Sequence, residues 1–158
     1  MRTLIVGAGP IGSYFAARLT ECGEDVTLYS LGPAFRSLAK DGIRLMAQGS
    51  DAPRTITVRC ALAASSPGNW DLIIFAVKAQ DLPGAAREFS HRSRDLIALL
   101  PQTVCRTGSF SALLKQRRVF LPLIQRYRRK FAKSRERVVG CVITKGLSFR
   151  ADGTLAHS

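Results

Sequence analysis

The first thirty residues contain the feature that most constrains the fold, a glycine-rich turn between a predicted strand and a predicted helix. A short apolar, β-branched run, Thr3–Val6, leads directly into Gly7–Gly12, which has the spacing G-x-G-x-x-G. Apolar side chains then recur at intervals of four, four and three, as they do along one face of a helix; they are Ile11, Phe15, Leu19 and Cys22. A second strand, Asp25–Ser30, follows Gly23. These patterns predict a complete βαβ unit.

Each glycine of the pattern has a predicted role in holding a pyrophosphate. Gly7 would allow the tight turn, Gly9 would let the backbone approach the anion, and Gly12 would let the helix pack against the strand. Pro10 suits the first turn of the helix, where N–H groups lack intrahelical partners and attract anions. The predicted cofactor-binding loop comprises Gly7, Ala8, Gly9, Pro10, Ile11 and Gly12. A tight βα turn without a ligand is the alternative interpretation.

Further patterns along the chain alternate between strand and helix periodicity. The longest continuous apolar run, Asp71–Val77, indicates a parallel strand buried on both faces. The other predicted elements are helices at 34–40 and 82–89, a hairpin of 42–46 with 54–60, a strand at 137–143, and a hairpin over 147–157 with an Asp152-Gly153 turn. We therefore predict an α/β, Rossmann-type, doubly wound and mostly parallel sheet with helices on both faces.

Length and composition favour one domain over residues 1–158. The chain has no run of eighteen apolar residues and no signal-peptide pattern, so we expect a cytoplasmic protein that does not enter a membrane. Its four cysteines are far apart and form no C-x-x-C, which predicts reduced thiols and no metal site; they are Cys22, Cys60, Cys105 and Cys141.

The net charge of +13 is concentrated in one part of the chain. Residues 89–137 hold 13 of the 24 basic residues and two of the 11 acidic ones. We interpret the anomalous basic segment, 89–136, in two ways: as a polyanion-binding arm, or as sequence that is not a normally selected part of this fold. Because no RNA-binding motif is present, a non-enzymatic dinucleotide- or nucleic-acid-binding protein is the alternative function and not the favoured one.

The end of the second strand bears on the choice of cofactor. NAD-specific folds usually place Asp or Glu there, about 20 residues past the glycines, to bind the ribose 2′-OH. This chain instead has Tyr29, Ser30 and Leu31. Ser30 could donate to a 2′-phosphate and Arg36 could reach it from the next helix, so NADP is favoured. Lys78, after the buried strand, could pair with a cofactor phosphate or a substrate carboxylate. Solvated surface roles are the alternatives for Arg36 and Lys78.

The chain resembles the N-terminal domain of ketopantoate reductases (2-dehydropantoate 2-reductases). The likeness is carried by Gly7–Leu19, Gly23–Leu28, Asp71–Asp81 with its Ala-Val-Lys-Ala, Arg137–Val142 and Gly153–His157. The resemblance implies an NADPH-dependent oxidoreductase that reduces a small-molecule 2-oxo acid in pantothenate synthesis.

Three departures from the family pattern limit this expectation. The family's Asn-Gly pair beyond the lysine is missing, because the only asparagine is Asn69. Leu31 stands where many members carry an arginine for the 2′-phosphate, and Arg36 is the nearest basic substitute. The family's helical C-terminal domain, which holds its catalytic lysine and substrate-binding acid, is not among these residues. We therefore expect a truncated chain, not competent alone, with a separate helical domain or a homo-oligomer as partner and no catalytic residue assigned.

The likeness covers about residues 1–88 and 137–158, and it is absent from the basic segment between them. A compensated frameshift or misread gene model would produce such a gap, and so would a divergent insert. Both interpretations stay open from the sequence.

Overall fold

The computed structural model describes residues 1–30, 34–47, 49–61, 70–78, 80–89, 97–103, 137–143 and 146–157. The strands in these ranges are β1 (Arg2–Val6), β2 (Asp25–Tyr29), β3 (Ile43–Leu45), β4 (Arg54–Ile56), β5 (Arg59–Ala61), β6 (Leu72–Phe75), β7 (Ile97–Thr103), β8 (Arg137–Ile143), β9 (Leu147–Phe149) and β10 (Leu155–His157). The helices are α1 (Pro10–Glu21), α2 (Ala34–Asp41) and α3 (Leu82–Phe89).

The larger sheet has six strands in the order β5-β2-β1-β6-β7-β8, and every pairing in it is parallel. Counted along the chain, its strands have the spatial order 3-2-1-4-5-6 of doubly wound dinucleotide-binding sheets. β1 lies near the middle, with Val6 opposite Tyr29 on one side and Phe75 on the other. The predicted fold class is therefore confirmed.

Helices cover both faces of this sheet because successive strand residues point to opposite sides. Ile5 of β1 belongs to a core with Ala16 and Ala17 of α1. Its neighbour Leu4 belongs to a second core with Leu82 of α3. The two cores fix α1 on one face and α3 on the other.

A smaller sheet has the order β4-β3-β10-β9 and packs on the side of α1. Ile43 and Leu155 of this sheet are buried in the same core as Ile5. The predicted hairpin at its end is confirmed: β9 pairs antiparallel with β10, and the N–H of Arg150 donates to the carbonyl of Thr154 at 2.8 Å. Gly153 has the positive φ of 77° that such a turn requires.

The predicted strand 54–60 is wrong as a single strand. Ile56 ends β4, which pairs antiparallel with β3, and Arg59 begins β5, which pairs parallel with β2 in the larger sheet. The buried Val58 lies between them in the core shared by the sheets. The alternation of side chains could not reveal this change of sheet, because its period is two residues in either one.

Strand β7 lies within the basic segment and was not predicted. Its apolar start, Ile97–Leu100, is the signal that could have indicated it. Apart from β7 and Phe89, the last residue of α3, that segment lies outside the described residues, as do Leu31, Asn69 and Cys105. The interpretations placed on them stay predictions. Among the helices that the structure describes, none has both the length and the apolar character needed to cross a membrane.

Candidate functional site

The glycine loop lies at the carboxyl edge of the larger sheet, between the ends of three neighbouring strands. The N–H of Gly7 donates to the carbonyl of Tyr29, the last residue of β2, at 2.8 Å. On the other side, the N–H of Ala76, just past β6, donates to the carbonyl of Val6 at 2.8 Å. Open α/β sheets bind their ligands at this edge. The loop therefore occupies the position that the sequence predicted.

The three glycines of the loop have different surroundings. Gly7 has a φ of 110°, and a Cβ there would lie 2.6 Å from the carbonyl oxygen of Ala76. A Cβ at Gly12 would overlap the carbonyl oxygen of Gly7. At Gly9, a Cβ would meet nothing within 4 Å in the described part of the chain. Packing therefore explains Gly7 and Gly12, whereas Gly9 leaves open space at the start of α1.

The N-terminus of α1 is open to an anion. Gly9 is its N-cap residue and Pro10 its first helical residue, and within the described residues no side chain caps it and no acid lies in its first turn. The N–H groups of Ile11 and Gly12 consequently have no intrahelical acceptor and add to the positive end of the helix dipole. These are the properties of a pyrophosphate cradle, and the residues present fit such a group.

The N-terminus of α3 lies at the same edge, but an acidic side chain stands in front of it. The exposed Asp81 immediately precedes this helix, and its carbonyl accepts from the N–H of Ala85 at 3.1 Å. A carboxylate at this position neutralises the local helix dipole. At this edge, an anion is therefore attracted to the N-terminus of α1 and repelled from the N-terminus of α3.

Lys78 lies past the end of β6, at the sheet edge that also holds the glycine loop. It follows β6 by three residues, and Ala76, whose carbonyl faces Gly7, is two residues before it. The carbonyl of Lys78 accepts from the N–H groups of Asp81 and Leu82 at 2.9 and 3.2 Å, which starts α3. Its side chain is exposed, so the ammonium group is available to a ligand.

The end of β2 carries no acidic side chain within the described residues. Tyr29 is buried there; its hydroxyl donates to the Glu88 carboxylate at 2.6 Å, and its ring packs edge to face on Phe89. Ser30 follows it and is partly buried, whereas Arg36 is exposed on α2. The structure thus brings Ser30 and Lys78 to the edge that holds the glycine loop, whereas Arg36 lies in the first turn of α2, seven residues past the end of β2.

Sequence reasoning missed Ser13, a fully buried polar residue that contacts the glycine loop through both its backbone and its side chain. Its signal was available, since a small polar residue directly follows the third glycine on the packed side of the helix. No cluster of three or more potential metal ligands occurs in the described residues.

Sheet order, glycine loop and open helix terminus together define a Rossmann-type α/β protein of the kind that binds dinucleotides. The family model described as ketopantoate reductase PanE/ApbA matches residues 3–158, and the chain belongs to that family. The family consists of NAD(P)H-dependent oxidoreductases of the 2-dehydropantoate 2-reductase type.

The proteins similar to this chain include two that carry the family's name and one that shows a likeness of fold. A 2-dehydropantoate 2-reductase from Mesorhizobium japonicum is 34% identical over 86 residues, which are 54% of this chain and 26% of that protein. A crystal structure assigned as a ketopantoate reductase from Ralstonia solanacearum MolK2 is 25% identical, with a TM-score of 0.66 over 99% of this chain and 49% of the other. D-Mandelate dehydrogenase, solved with NADH and anilino(oxo)acetate, is 18% identical, with a TM-score of 0.66 over 100% of this chain and 45% of the other.

The chain thus spans about a quarter of the length of that curated relative and about half of the solved structures.

Proposed function

We propose that this chain is the NADPH-binding part of a reductase that acts on a small 2-oxo acid, of which 2-dehydropantoate, in pantothenate synthesis, is the first candidate. The open space at Gly9, above the uncapped start of α1, carries this proposal. Contacts within the described chain account for Gly7 and Gly12 but not for Gly9, whose lack of a side chain leaves room for a further group to approach the backbone at the start of α1.

Each part of the site has a distinct task in this proposal. The first turn of α1 binds the pyrophosphate through backbone N–H groups, and the glycine loop holds that turn in place. The exposed ammonium of Lys78 pairs with a cofactor phosphate or with the carboxylate of the 2-oxo acid. Hydride transfer is the chemistry that the nicotinamide supplies when it is bound, while the protein supplies position and charge.

A preference for NADPH over NADH is supported by charge at the end of β2. The two residues described at the end of β2, Tyr29 and Ser30, carry no carboxylate of their own that would repel a 2′-phosphate. The cation nearest in sequence is the exposed Arg36. Because a structurally similar dehydrogenase was solved with NADH, the preference has to be measured for this chain.

Replacing Gly9 with valine tests the proposed pyrophosphate site. The extended backbone of Gly9, with φ −74° and ψ 179°, accepts valine without strain, so the variant should fold and lose NADPH binding. Gly84→Val is the matched control, because Gly84 is exposed in α3 and a Cβ there also meets nothing within 4 Å among the described residues. Calorimetric titration of NADPH into both variants gives the result. Unchanged affinity in folded Gly9→Val would refute the site.

Replacing Arg36 with alanine tests the proposed discrimination between the cofactors. Loss of one charge-assisted hydrogen bond should weaken NADPH binding by about 1.5 kcal/mol, roughly tenfold, and leave NADH unaffected. Lys40→Ala removes the same charge one turn further along α2 and should change neither affinity. Equal affinity of the parent chain for the two cofactors would contradict the NADPH preference and leave the pyrophosphate site standing.

A further inference from the structure

Ser13 makes two contacts with the glycine loop from inside the protein. It is fully buried at the first turn of α1. Its N–H donates to the carbonyl of Gly9 at 2.9 Å, the ordinary first bond of the helix. Its hydroxyl donates to the carbonyl of Ala8 at 3.4 Å, five residues earlier. A helical serine normally bonds the carbonyl four residues back. The contact with Ala8 therefore reaches past the helix into the loop.

The second contact fixes the direction of one peptide group. Ala8 is buried, and its carbonyl points inward to the Ser13 hydroxyl. In a planar trans peptide the carbonyl and the following N–H point in opposite directions. The N–H of Gly9 therefore points away from Ser13 and from the protein interior in which Ser13 is buried.

Because residue 10 is a proline, the Gly9 N–H is one of few backbone donors at the start of α1. Proline has no N–H, so the backbone donors at the start of α1 are those of Gly9, Ile11 and Gly12. The donor of Gly9 is the one outside the helix, where helical geometry does not set its direction. We propose that Ser13 is a positioning residue, which holds the Ala8 carbonyl inward so that the Gly9 N–H faces the pyrophosphate. This inference rests on the proposed function.

Ser13→Ala tests the inference, with Thr20→Val as its control. Thr20 lies on the same helix, and its buried hydroxyl has no hydrogen-bond partner among the described residues. Three quantities are measured for each protein: the affinity for NADPH, the affinity for adenosine 2′-monophosphate, which has no pyrophosphate, and the amide resonance of Gly9 without ligand. Ser13→Ala should weaken NADPH binding about tenfold, shift the Gly9 resonance and keep adenosine 2′-monophosphate affinity within about twofold. Thr20→Val should change none of them.

Two results would overturn the role of Ser13. NADPH affinity of folded Ser13→Ala equal to that of the parent would show that the hydroxyl does not orient a binding group. An equal loss for both ligands would show general damage to the fold rather than positioning at the pyrophosphate. Failure of the proposed function is distinguishable, because the parent chain would then bind neither NADPH nor NADH.

Discussion

At the scale of single residues, the glycine loop contains one position that packing constrains, Gly7, and one that packing leaves free, Gly9. Gly7 combines a positive φ with a carbonyl oxygen only 2.6 Å from the position that a Cβ would take, whereas Gly9 has neither constraint. Substitution at Gly7 must therefore distort the backbone or move β6. Substitution at Gly9 alters only the open space.

We expect Gly7→Ala to lower the free energy of unfolding by more than about 2 kcal/mol, because both strain and overlap oppose it. Gly9→Ala should change the same free energy by less than about 0.5 kcal/mol. Urea unfolding of the two variants in the absence of ligand provides the measurement. Comparable destabilisation by the two substitutions would show that Gly9 also serves packing.

Two buried threonines provide a second contrast at this scale. The Thr3 hydroxyl has no partner among the described residues, whereas the Thr154 hydroxyl donates to the Asp152 carboxylate at 2.8 Å. Thr3→Val should therefore be neutral or stabilise the fold by up to about 1 kcal/mol, and Thr154→Val should destabilise it by about 1 kcal/mol. Both changes keep the shape of the side chain, so denaturant midpoints can be compared directly. Equal effects of the same sign would contradict the assigned hydrogen bonding.

At the scale of elements, the β9–β10 hairpin is joined to β3 by charge. The Asp152 carboxylate accepts from the N–H and hydroxyl of Thr154 at 3.0 and 2.8 Å and pairs with Arg44 at 3.3 Å. The hydrogen bonds from Thr154, assisted by Arg44, hold the pKa of Asp152 below its ordinary value of 3.8. The ionised carboxylate is therefore the form that stabilises the hairpin.

The direction of this shift predicts an acid-dependent contribution to stability. A carboxyl with a lowered pKa in the folded state stabilises it above the ordinary value, and the contribution is lost as the pH falls through the lower folded pKa. Below pH 3.8, the melting temperature of the parent should thus fall more steeply than that of Asp152→Asn. Asp51→Asn, at an exposed carboxylate without a described partner, should keep the parent's slope. Parallel curves of melting temperature against pH for the parent and Asp152→Asn would show that ionisation of Asp152 does not stabilise the fold.

At the scale of the whole molecule, the described residues form the edge proposed to bind the cofactor, and no described residue is assigned to hold a substrate against it except Lys78. Lys78 is an exposed cation at this edge, three residues past the end of β6. The family resemblance implies an Asn-Gly pair that the sequence does not contain. A hydride acceptor must be held close to the nicotinamide, which can account for about 7–11 kcal/mol of the barrier.

We therefore expect a protein made of residues 1–158 alone to bind NADPH without reducing 2-dehydropantoate measurably. NADPH oxidation followed by absorbance, with and without the 2-oxo acid, tests this. Turnover at ordinary enzyme rates that disappears in Lys78→Ala would contradict the expectation. Activity that requires an added helical partner chain would support both the family role and a divided active site.

The sequence by itself determined the local units of this protein. The βαβ unit, Pro10 at the start of α1, the limits of α3 and β8, and the Asp152-Gly153 turn follow from periodicity and turn chemistry over a few residues. These features depend on neighbours in the chain, so a single sequence contains enough information to specify them. The family resemblance also came from such short motifs.

Only the tertiary structure decided which distant segments meet. It divided 54–60 between two sheets, placed β7 beside β6, and set the carbonyl of Ala76, two residues before Lys78, against Gly7. It also showed that Gly9 faces open space and that Ser13 contacts Ala8. Strand pairing joins residues far apart in sequence, and the two-residue alternation is identical in either sheet. Local pattern therefore could not specify these contacts, and packing of the two cores selected them.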